Sequence, residues 1–440
     1  MDLIRRRTWA GRAQGGLRGI VVVAVLLAGV ASVAAAPQTP LEAVIEEAMS
    51  GNQDIASLAA KASALRAEAP FAGSLKDPVI GFALLNLPVD TFAFDEQPMT
   101  QKQISLSQQV PWFGKLSLAQ QATELAATEQ EALVTAMRLN VTRQVKDAWY
   151  ELGFIERSIE INTRLRANVQ QMIEVAESRY ATGKGLQQDI LSGQVQLSEL
   201  IDRQVTLAAA RERLQDTIGG LLNREGSFTG TSAPLALPDL VVFDSRTLTS
   251  EMLRLNPLIA ARRAAVMRAE IEVRLAEKEY MPDMNFTVAY GQRDDLATGQ
   301  DSPDFFSAQV SLTVPLWQHT RQDSKLAGAK KRLTSARRSL LALQRSLPHR
   351  VDALVAEIRS AAESQELYSQ AVAMQVGQWA DSSLAAYAVG KVEFTTMLSA
   401  RIRQLQTTRQ EEQYISQVYR KIAELEEVVG QPLVTVKERR

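Results

Sequence analysis

Residues 101–115 read QKQISLSQQVPWFGK, and this stretch decides the fold because its residue pattern changes in the middle. Its apolar members alternate with uncharged polar residues, which predicts a strand with one apolar and one polar face. These apolar members are Ile104, Leu106 and Val110. Pro111 lacks the N–H that would continue a strand, and Gly114 allows a sharp turn. From Lys115 the apolar spacing becomes helical, so Pro111 and Gly114 predict a strand-to-helix junction.

A second copy of this pattern ends at Pro315, 204 residues after Pro111. Two further segments, RYATGKGLQQDIL at 179–191 and AYAVGKVEFTTML at 386–398, also match each other, at an offset of 207. Matching segments in the same order indicate an internal duplication. Each copy is predicted to contain a helix, a β-hairpin, a long helix, a tight break and a returning helix.

The duplication divides the chain into four predicted parts. In order they are a signal peptide at 1–36, a first repeat at 37–223 with a hairpin at 78–111 and a tip near 183, a linker or equatorial segment at 224–250, and a second repeat at 251–440 with a hairpin at 282–315 and a tip near 390. Within the linker, the apolar run Leu240 to Phe243 indicates a small additional strand or helix.

The N-terminus has five arginines, then an apolar run at 20–30, then small residues at 31–36. This order is typical of a secretory signal peptide, with a single N-terminal membrane anchor as the alternative. Removal of residues 1–36 would take away the five arginines and Asp2, changing the net charge from −1 to −5. The sequence therefore indicates no nucleic-acid partner.

Composition also argues against an enzyme. The chain has no cysteine and only two histidines, which leaves little for thiolate or imidazole chemistry. Adjacent glutamates such as Glu46 and Glu47 lie on different faces of a predicted helix, so they cannot share a substrate. No serine–histidine–aspartate set, HExxH motif, phosphate loop or dinucleotide fingerprint occurs. We predict no catalytic residues, no metal site and no cofactor.

Long helices account for most of the predicted structure. Lys115 to Ala181 would form one rod roughly 100 Å long. Further helices are predicted at 41–69, 186–222, 321–389 and 392–429. Pro348 is expected to kink or split the third of these near Leu347.

Four strands cannot close a membrane barrel, for which eight is the smallest number. Three copies of the chain would supply twelve strands and twelve long helices, enough for a barrel continuous with a helical tube. The alternatives are a small soluble sheet packed over the helices and a secreted structural coiled coil.

Four motifs carry a resemblance to a known family: QQVPWFGK, VSLTVPLW and the two segments at 179–191 and 386–398. With the duplication, they make residues 41–432 similar to the TolC-like outer-membrane efflux channel family. The resemblance implies a homotrimer with a 12-stranded β-barrel in outer-membrane lipid and a 12-helix tunnel in the periplasm. It also implies an exit duct that docks to a periplasmic adaptor and an inner-membrane pump of the resistance-nodulation-division type. The alternatives for function are a type I secretion component and a periplasmic adaptor.

The same resemblance implies roles for the two helical tips. The residues expected to dock the adaptor are Gly183, Lys184, Gly185, Leu186, Gly390, Lys391, Val392 and Glu393. A hydrogen bond from Tyr387 to Asp189 is expected to help close the tunnel.

The sequence departs from the family at several gate positions. The basic residue of a second link is replaced by Val392 and its threonine partner by Gln188. Acidic pore rings are replaced by Thr396 and Ser399, so no carboxylate ring is expected there. Asp189 remains the candidate gate charge; its alternative is an ordinary solvated aspartate at a helix N-terminus.

Overall fold

The computed structural model describes residues 40–232, 237 and 243–433. The predicted signal peptide at 1–36 and residues 240–242 of the predicted linker lie outside the described residues, so both predictions stand as made.

The helices of the first half are α1 (Leu41–Gly51), α2 (Gln53–Ala72), α3 (Lys115–Ala181) and α4 (Gln187–Leu221). The long rod is confirmed, because α3 runs for 67 residues without a break. The single helix predicted at 41–69 is wrong. Asn52 adopts an extended conformation, and its side chain accepts the Ile55 N–H at 2.9 Å, which ends α1 and caps α2.

The helices of the second half are α5 (Ser245–Leu255), α6 (Pro257–Lys278), α7 (Gln322–Leu367), α8 (Ala373–Ala388) and α9 (Phe394–Val429). A π-helical segment, Tyr368–Val372, joins α7 to α8 without a break. Helix α5 begins at Ser245 and therefore occupies part of the segment predicted as linker at 224–250. Its start is set by Asp244, whose carboxylate accepts the N–H groups of Arg246 and Thr247.

A kink or a split was predicted at Pro348, and the split is wrong, because α7 passes through this residue and ends at Leu367. A proline inside a helix removes one backbone hydrogen bond but leaves the side-chain packing of the helix in place. Here Val351, Leu354 and Ile358, just beyond the proline, are buried against α9 and α5 in one apolar cluster. We attribute the continuity of α7 to this packing.

The strands are β1 (Val79–Leu85), β2 (Gln101–Val110), β3 (Met284–Gln292) and β4 (Phe305–Leu312). They form one antiparallel sheet in the order β1-β2-β3-β4. The two predicted hairpins are therefore present, and β2 pairs with β3 to join them along one side, with Leu106 opposite Val288.

Helix α3 is the centre of the helical part, since it contacts α2, α4, α6 and α9. Its apolar seam is buried along most of its length; Val145, Leu152 and Val169 are fully enclosed. The segment after α4 packs on this seam through Phe228, whose ring meets that of Trp149 edge to face at 6.0 Å. Helix α3 starts beside the sheet and ends at the first helical tip, near Gly183. Its length therefore sets the distance between the sheet and this tip.

Candidate functional site: an amphipathic sheet and two helical tips

The sheet has one apolar face, and the described chain leaves this face uncovered. The strand register places Phe82, Ile104, Tyr290 and Phe306 in one row across all four strands. The next row contains Ile80, Leu106, Val288 and Ala308. Phe82 is 81% exposed and Phe306 is 75% exposed. Exposed apolar patches of this extent mark a contact with a partner or a membrane.

The opposite face of the sheet is polar and uncharged over its central part. It carries Ser105, Ser107, Asn285, Thr287 and Gln309. The hydroxyls of Ser107 and Thr287 form a hydrogen bond of 2.8 Å across the β2–β3 pair. One face therefore suits hydrocarbon and the other suits water, as the alternation in β2 predicts.

The outer strands β1 and β4 each pair with a single neighbour among the described strands. An exposed strand edge of this kind offers unpaired N–H and C=O groups to another strand. Further strands can therefore pair with β1 and β4 and extend the sheet, with the same apolar and polar faces.

The loops at the far end of the two hairpins are tied to each other. Lys102 forms an ion pair of 2.8 Å with Asp294. Arg293 donates to the Pro98 carbonyl at 2.6 Å, and the Ala297 N–H donates to the Asp95 carbonyl at 2.9 Å. These bonds join the loop after β1 to the loop after β3, which sets the alignment of the hairpins.

The predicted strand-to-helix junction lies at the other end of the sheet. Strand β2 ends directly before Pro111, and Gly114 turns the chain into α3 with a φ of +86°. Pro315 lies further from its strand, because β4 ends at Leu312 and the backbone pairing stops with the Thr313 N–H on the Asp283 carbonyl. The first junction is therefore tighter than the second.

An ion pair that was not predicted holds this junction. Lys115 is only 8% exposed, and its ammonium group lies 2.7 Å from the Asp283 carboxylate. Asp283 also accepts the Trp112 N–H at 2.9 Å, so it connects the end of β2 to the start of α3. Burial alone would raise the pKa of Asp283, but the hydrogen bonds from Lys115 and Trp112 hold that pKa below its usual range.

We expect Asp283→Asn to lower the free energy of unfolding by about 2 kcal/mol, because it leaves a nearly buried ammonium group without its carboxylate. A lowered pKa means that this stabilisation is complete above the unfolded value of about 3.9. It is lost as the pH falls through the folded value. Thermal unfolding followed by circular dichroism from pH 7 to pH 3 should therefore show a flatter profile for the variant. The control is Asp77→Asn, an exposed aspartate before β1; an equal loss there would contradict the role of Asp283.

Both helical tips end in the same backbone arrangement. Gly183 and Gly390 have φ values of +71° and +74°, which side chains other than glycine disfavour. In the first tip the Lys184 N–H donates to the Arg179 carbonyl at 2.9 Å, and in the second the Lys391 N–H donates to the Ala386 carbonyl at 2.8 Å. This pattern is a Schellman cap, which stops α3 and α8 and reverses the chain.

The other predicted docking residues lie around these caps. Lys184, Leu186, Lys391 and Glu393 are exposed, whereas Gly185 and Val392 are partly buried. A side chain at Gly185 would lie 2.9 Å from the Tyr180 backbone nitrogen, so only glycine fits there without a shift of the turn. Exposed residues of both signs at two sharp turns form a surface that a partner can contact.

Two of the predicted gate residues, Tyr387 and Asp189, lie close enough for the carboxylate to act on the phenol, but they are not hydrogen-bonded to each other. Tyr387 is 5% exposed, and its hydroxyl has no hydrogen-bond partner among the described residues. Burial raises the pKa of Tyr387, Arg179 lowers it and the nearby Asp189 carboxylate raises it, with a net increase. Asp189 itself is buried in the first turn of α4, so the alternative of a solvated aspartate is wrong. Thr396 and Ser399 are exposed on the first turns of α9.

Arg179 occupies the place between the two tips, and sequence reasoning missed it. It lies in the last turn of α3, and its guanidinium group donates to the Tyr387 carbonyl at 2.6 Å. The repeat contained a signal for it, because the matching position in the second tip is Ala386. Only the first tip carries a charged residue at this position, so the contact that Arg179 makes has no counterpart in the second tip.

Within the described ranges, no helix combines the length and the apolar character needed to span a membrane. Among the same residues, histidine and acidic side chains form no group that could hold a metal ion.

Comparison with known proteins relates this architecture to a family. Residues 248–431 match the family described as outer membrane efflux protein. The structure of the outer-membrane channel OprN matches with a TM-score of 0.75 and 18% identity, covering 89% of each chain. The outer membrane protein VceC from Vibrio cholerae matches with a TM-score of 0.74 and 17% identity, covering 89% of this chain and 96% of that one. The open-state MtrE outer membrane channel of Neisseria gonorrhoeae has a TM-score of 0.72 and 14% identity, with 89% of each chain covered. The comparison with curated protein sequences gave no match.

At these identities the structural matches establish the fold, and the family match over 248–431 adds a relationship in sequence. The resemblance that the junction and tip motifs indicated is thereby confirmed. Residues 248–431 match the outer membrane efflux protein family, and the chain has the mainly helical fold of the outer-membrane channels.

Proposed function

We propose that this protein is the outer-membrane exit duct of a tripartite efflux pump. The observation that carries the proposal is the joining of an amphipathic, open-edged sheet to a 67-residue helix within the fold of the outer-membrane channels. The sheet suits a bilayer on one face and water on the other, and the helix is long enough to extend roughly 100 Å away from it.

In the proposed assembly three chains close the sheet. A single four-stranded sheet has two open edges and an uncovered apolar face, which water does not favour. Three copies supply twelve strands, and a closed barrel satisfies every edge. The polar face with Ser105 and Thr287 then lines the lumen, and the face with Leu106 and Val288 contacts outer-membrane lipid. The helices extend from this barrel into the periplasm.

The tips are the proposed contact with a periplasmic adaptor, which links the duct to an inner-membrane pump of the resistance-nodulation-division type. The proposed docking residues are those of the two caps, from Gly183 to Leu186 and from Gly390 to Glu393. The same ends form the proposed gate, with Asp189 and Tyr387 buried beside each other and Thr396 and Ser399 exposed nearby. A gate built from these residues carries no acidic ring at the second tip.

Two measurements test the proposed function. Purified full-length protein should need detergent, contain three chains per particle and show both helix and strand by circular dichroism. Inserted into planar bilayers, it should give discrete conductance steps. A soluble monomer without conductance would overturn the proposal and favour a structural helical protein instead.

A further inference from the structure

We propose that Arg179 is a latch that holds the two tips of one chain together and so controls the opening of the periplasmic end. The inference rests on the proposed channel function and assigns a residue to its regulation. Three contacts carry it, each between the first tip and the second.

The first contact is a charge-assisted hydrogen bond. The Arg179 guanidinium group, on the last turn of α3, donates to the Tyr387 backbone carbonyl of α8 at 2.6 Å. This carbonyl also accepts the Gly390 N–H at 3.0 Å as part of the second cap. Arg179 therefore bonds to the turn itself, where the chain reverses. A displacement of the second tip would break this bond.

The second contact is with the tyrosine ring. The Arg179 guanidinium carbon lies 4.5 Å from the centre of the Tyr387 ring, a cation–π geometry. The ring is in turn packed edge to face on Phe394 at the start of α9, with centroids 5.8 Å apart. The arginine is thus connected to both helices of the second hairpin.

The third contribution comes from the helix ends. Arg179 lies in the last turn of α3 and reaches the last turn of α8. Carbonyl groups at the C-terminus of a helix carry partial negative charge, and cations there are stabilised. The Nη2 atom of the Arg179 guanidinium group also lies 3.7 Å from the position that a Cβ at Gly390 would occupy. The guanidinium group therefore lies directly against the second turn.

This latch differs from the link expected between Tyr387 and Asp189. The Tyr387 hydroxyl has no hydrogen-bond partner among the described residues, whereas the carbonyl and the ring of the same residue both contact Arg179. The two possibilities therefore predict different results for Tyr387→Phe, which removes the hydroxyl but keeps the ring and the backbone carbonyl.

The test is single-channel recording of purified full-length trimers in planar bilayers. We expect Arg179→Ala to increase the ratio of open to closed time by about tenfold, because each chain loses a charge-assisted bond and a ring contact. Tyr387→Leu should increase the ratio less, since it removes the ring and keeps the carbonyl. Tyr387→Phe, which keeps both the ring and the carbonyl, should have the smallest effect of the three variants.

The matched control is Arg164→Ala, which removes an exposed arginine from the same helix about four turns from Arg179. Thermal unfolding of each variant checks that the trimer remains folded. If the wild type conducts and Arg179→Ala matches it, the latch is overturned while the channel function stands. An effect of Tyr387→Phe as large as that of Arg179→Ala would also overturn the latch, in favour of the hydroxyl link.

A second measurement does not depend on conductance. Because the chain has no cysteine, introduced cysteines at Ala181 and Ala388 can be spin-labelled without interference. These residues end α3 and α8 and are exposed. We expect the distance distribution to broaden and shift to longer values in Arg179→Ala but not in Arg164→Ala. An unchanged distribution would contradict the latch. If the wild type forms no pore at all, the proposed function fails independently of this result.

Discussion

Leu106→Lys is expected to abolish accumulation of assembled protein in the outer membrane. Leu106 lies at the middle of β2 on the apolar face, in a row with Ile80, Val288 and Ala308. A lysine on the lipid-facing side of a barrel near the middle of the bilayer costs about 2–4 kcal/mol. In a trimer this cost occurs three times, which is comparable to the whole stability of an ordinary protein.

The matched control is Ser105→Lys, one residue earlier in the same strand. Successive side chains in a strand point to opposite faces, so this lysine falls on the polar face beside Gly81 and Ala289. Membrane fractionation and the amount of trimer extracted in detergent would compare the two variants. We expect Ser105→Lys to retain most of the assembled protein. Equal accumulation of both variants, or equal loss, would contradict the assignment of the two faces.

Glu426→Ala is expected to cause the second-largest effect, a loss of about 3–5 kcal/mol in the free energy of unfolding. The Glu426 side chain is 8% exposed and lies between α9 and α3. One of its oxygens bonds to the Lys146 ammonium group at 2.5 Å, and the other accepts the Leu433 N–H at 3.0 Å. Truncation to alanine leaves the largely buried Lys146 ammonium group and the Leu433 N–H without the carboxylate that accepts both hydrogen bonds.

The control for this prediction is Glu131→Ala. Glu131 pairs with Arg66 at 2.6 Å between α3 and α2, but both side chains are about half exposed. Exposed ion pairs contribute about 0–1 kcal/mol, because water solvates the separated charges well. Thermal unfolding in detergent, followed at 222 nm, should separate the two variants. A loss at Glu131 as large as that at Glu426 would show that burial is not what makes the difference.

The elements of this protein follow from local sequence patterns to a large extent. The alternation in residues 101–110 predicts β2, and the apolar seam from Lys115 predicts α3 with the bounds that the structure has. Pro111, Gly114, Gly183 and Gly390 mark turns because their effects on the backbone act within a few residues. These turns can therefore be predicted from a few neighbouring residues, without knowledge of the tertiary structure.

Helix continuity was predicted less well, since it depends on balance between local preference and packing. Asn52 separates α1 from α2 although the apolar spacing continues across it, because its side chain caps the second helix. Pro348 has the opposite outcome, because the packed turns around it keep α7 continuous. Neither result follows from residue type alone.

The residue contacts at the candidate sites required the tertiary structure. The resemblance implied a bond from Tyr387 to Asp189, yet the structure places the Arg179 guanidinium group on Tyr387 instead. Likewise the pairing of Lys115 with Asp283 joins residues 168 positions apart. Such contacts depend on the relative placement of distant helices, which no single segment specifies.

By itself, the sequence determined the amphipathic strands, the long helices and the sharp tips, because backbone sterics and the separation of apolar from polar residues act over short distances. The tertiary structure decided that β2 pairs with β3, so that both hairpins form one sheet. It also decided which charges are buried together and which side chain connects the tips. The physical reason is that hydrogen bonds and ion pairs act over a few ångströms. Only the packing of the helices and strands brings residues from the two halves of the chain within this distance.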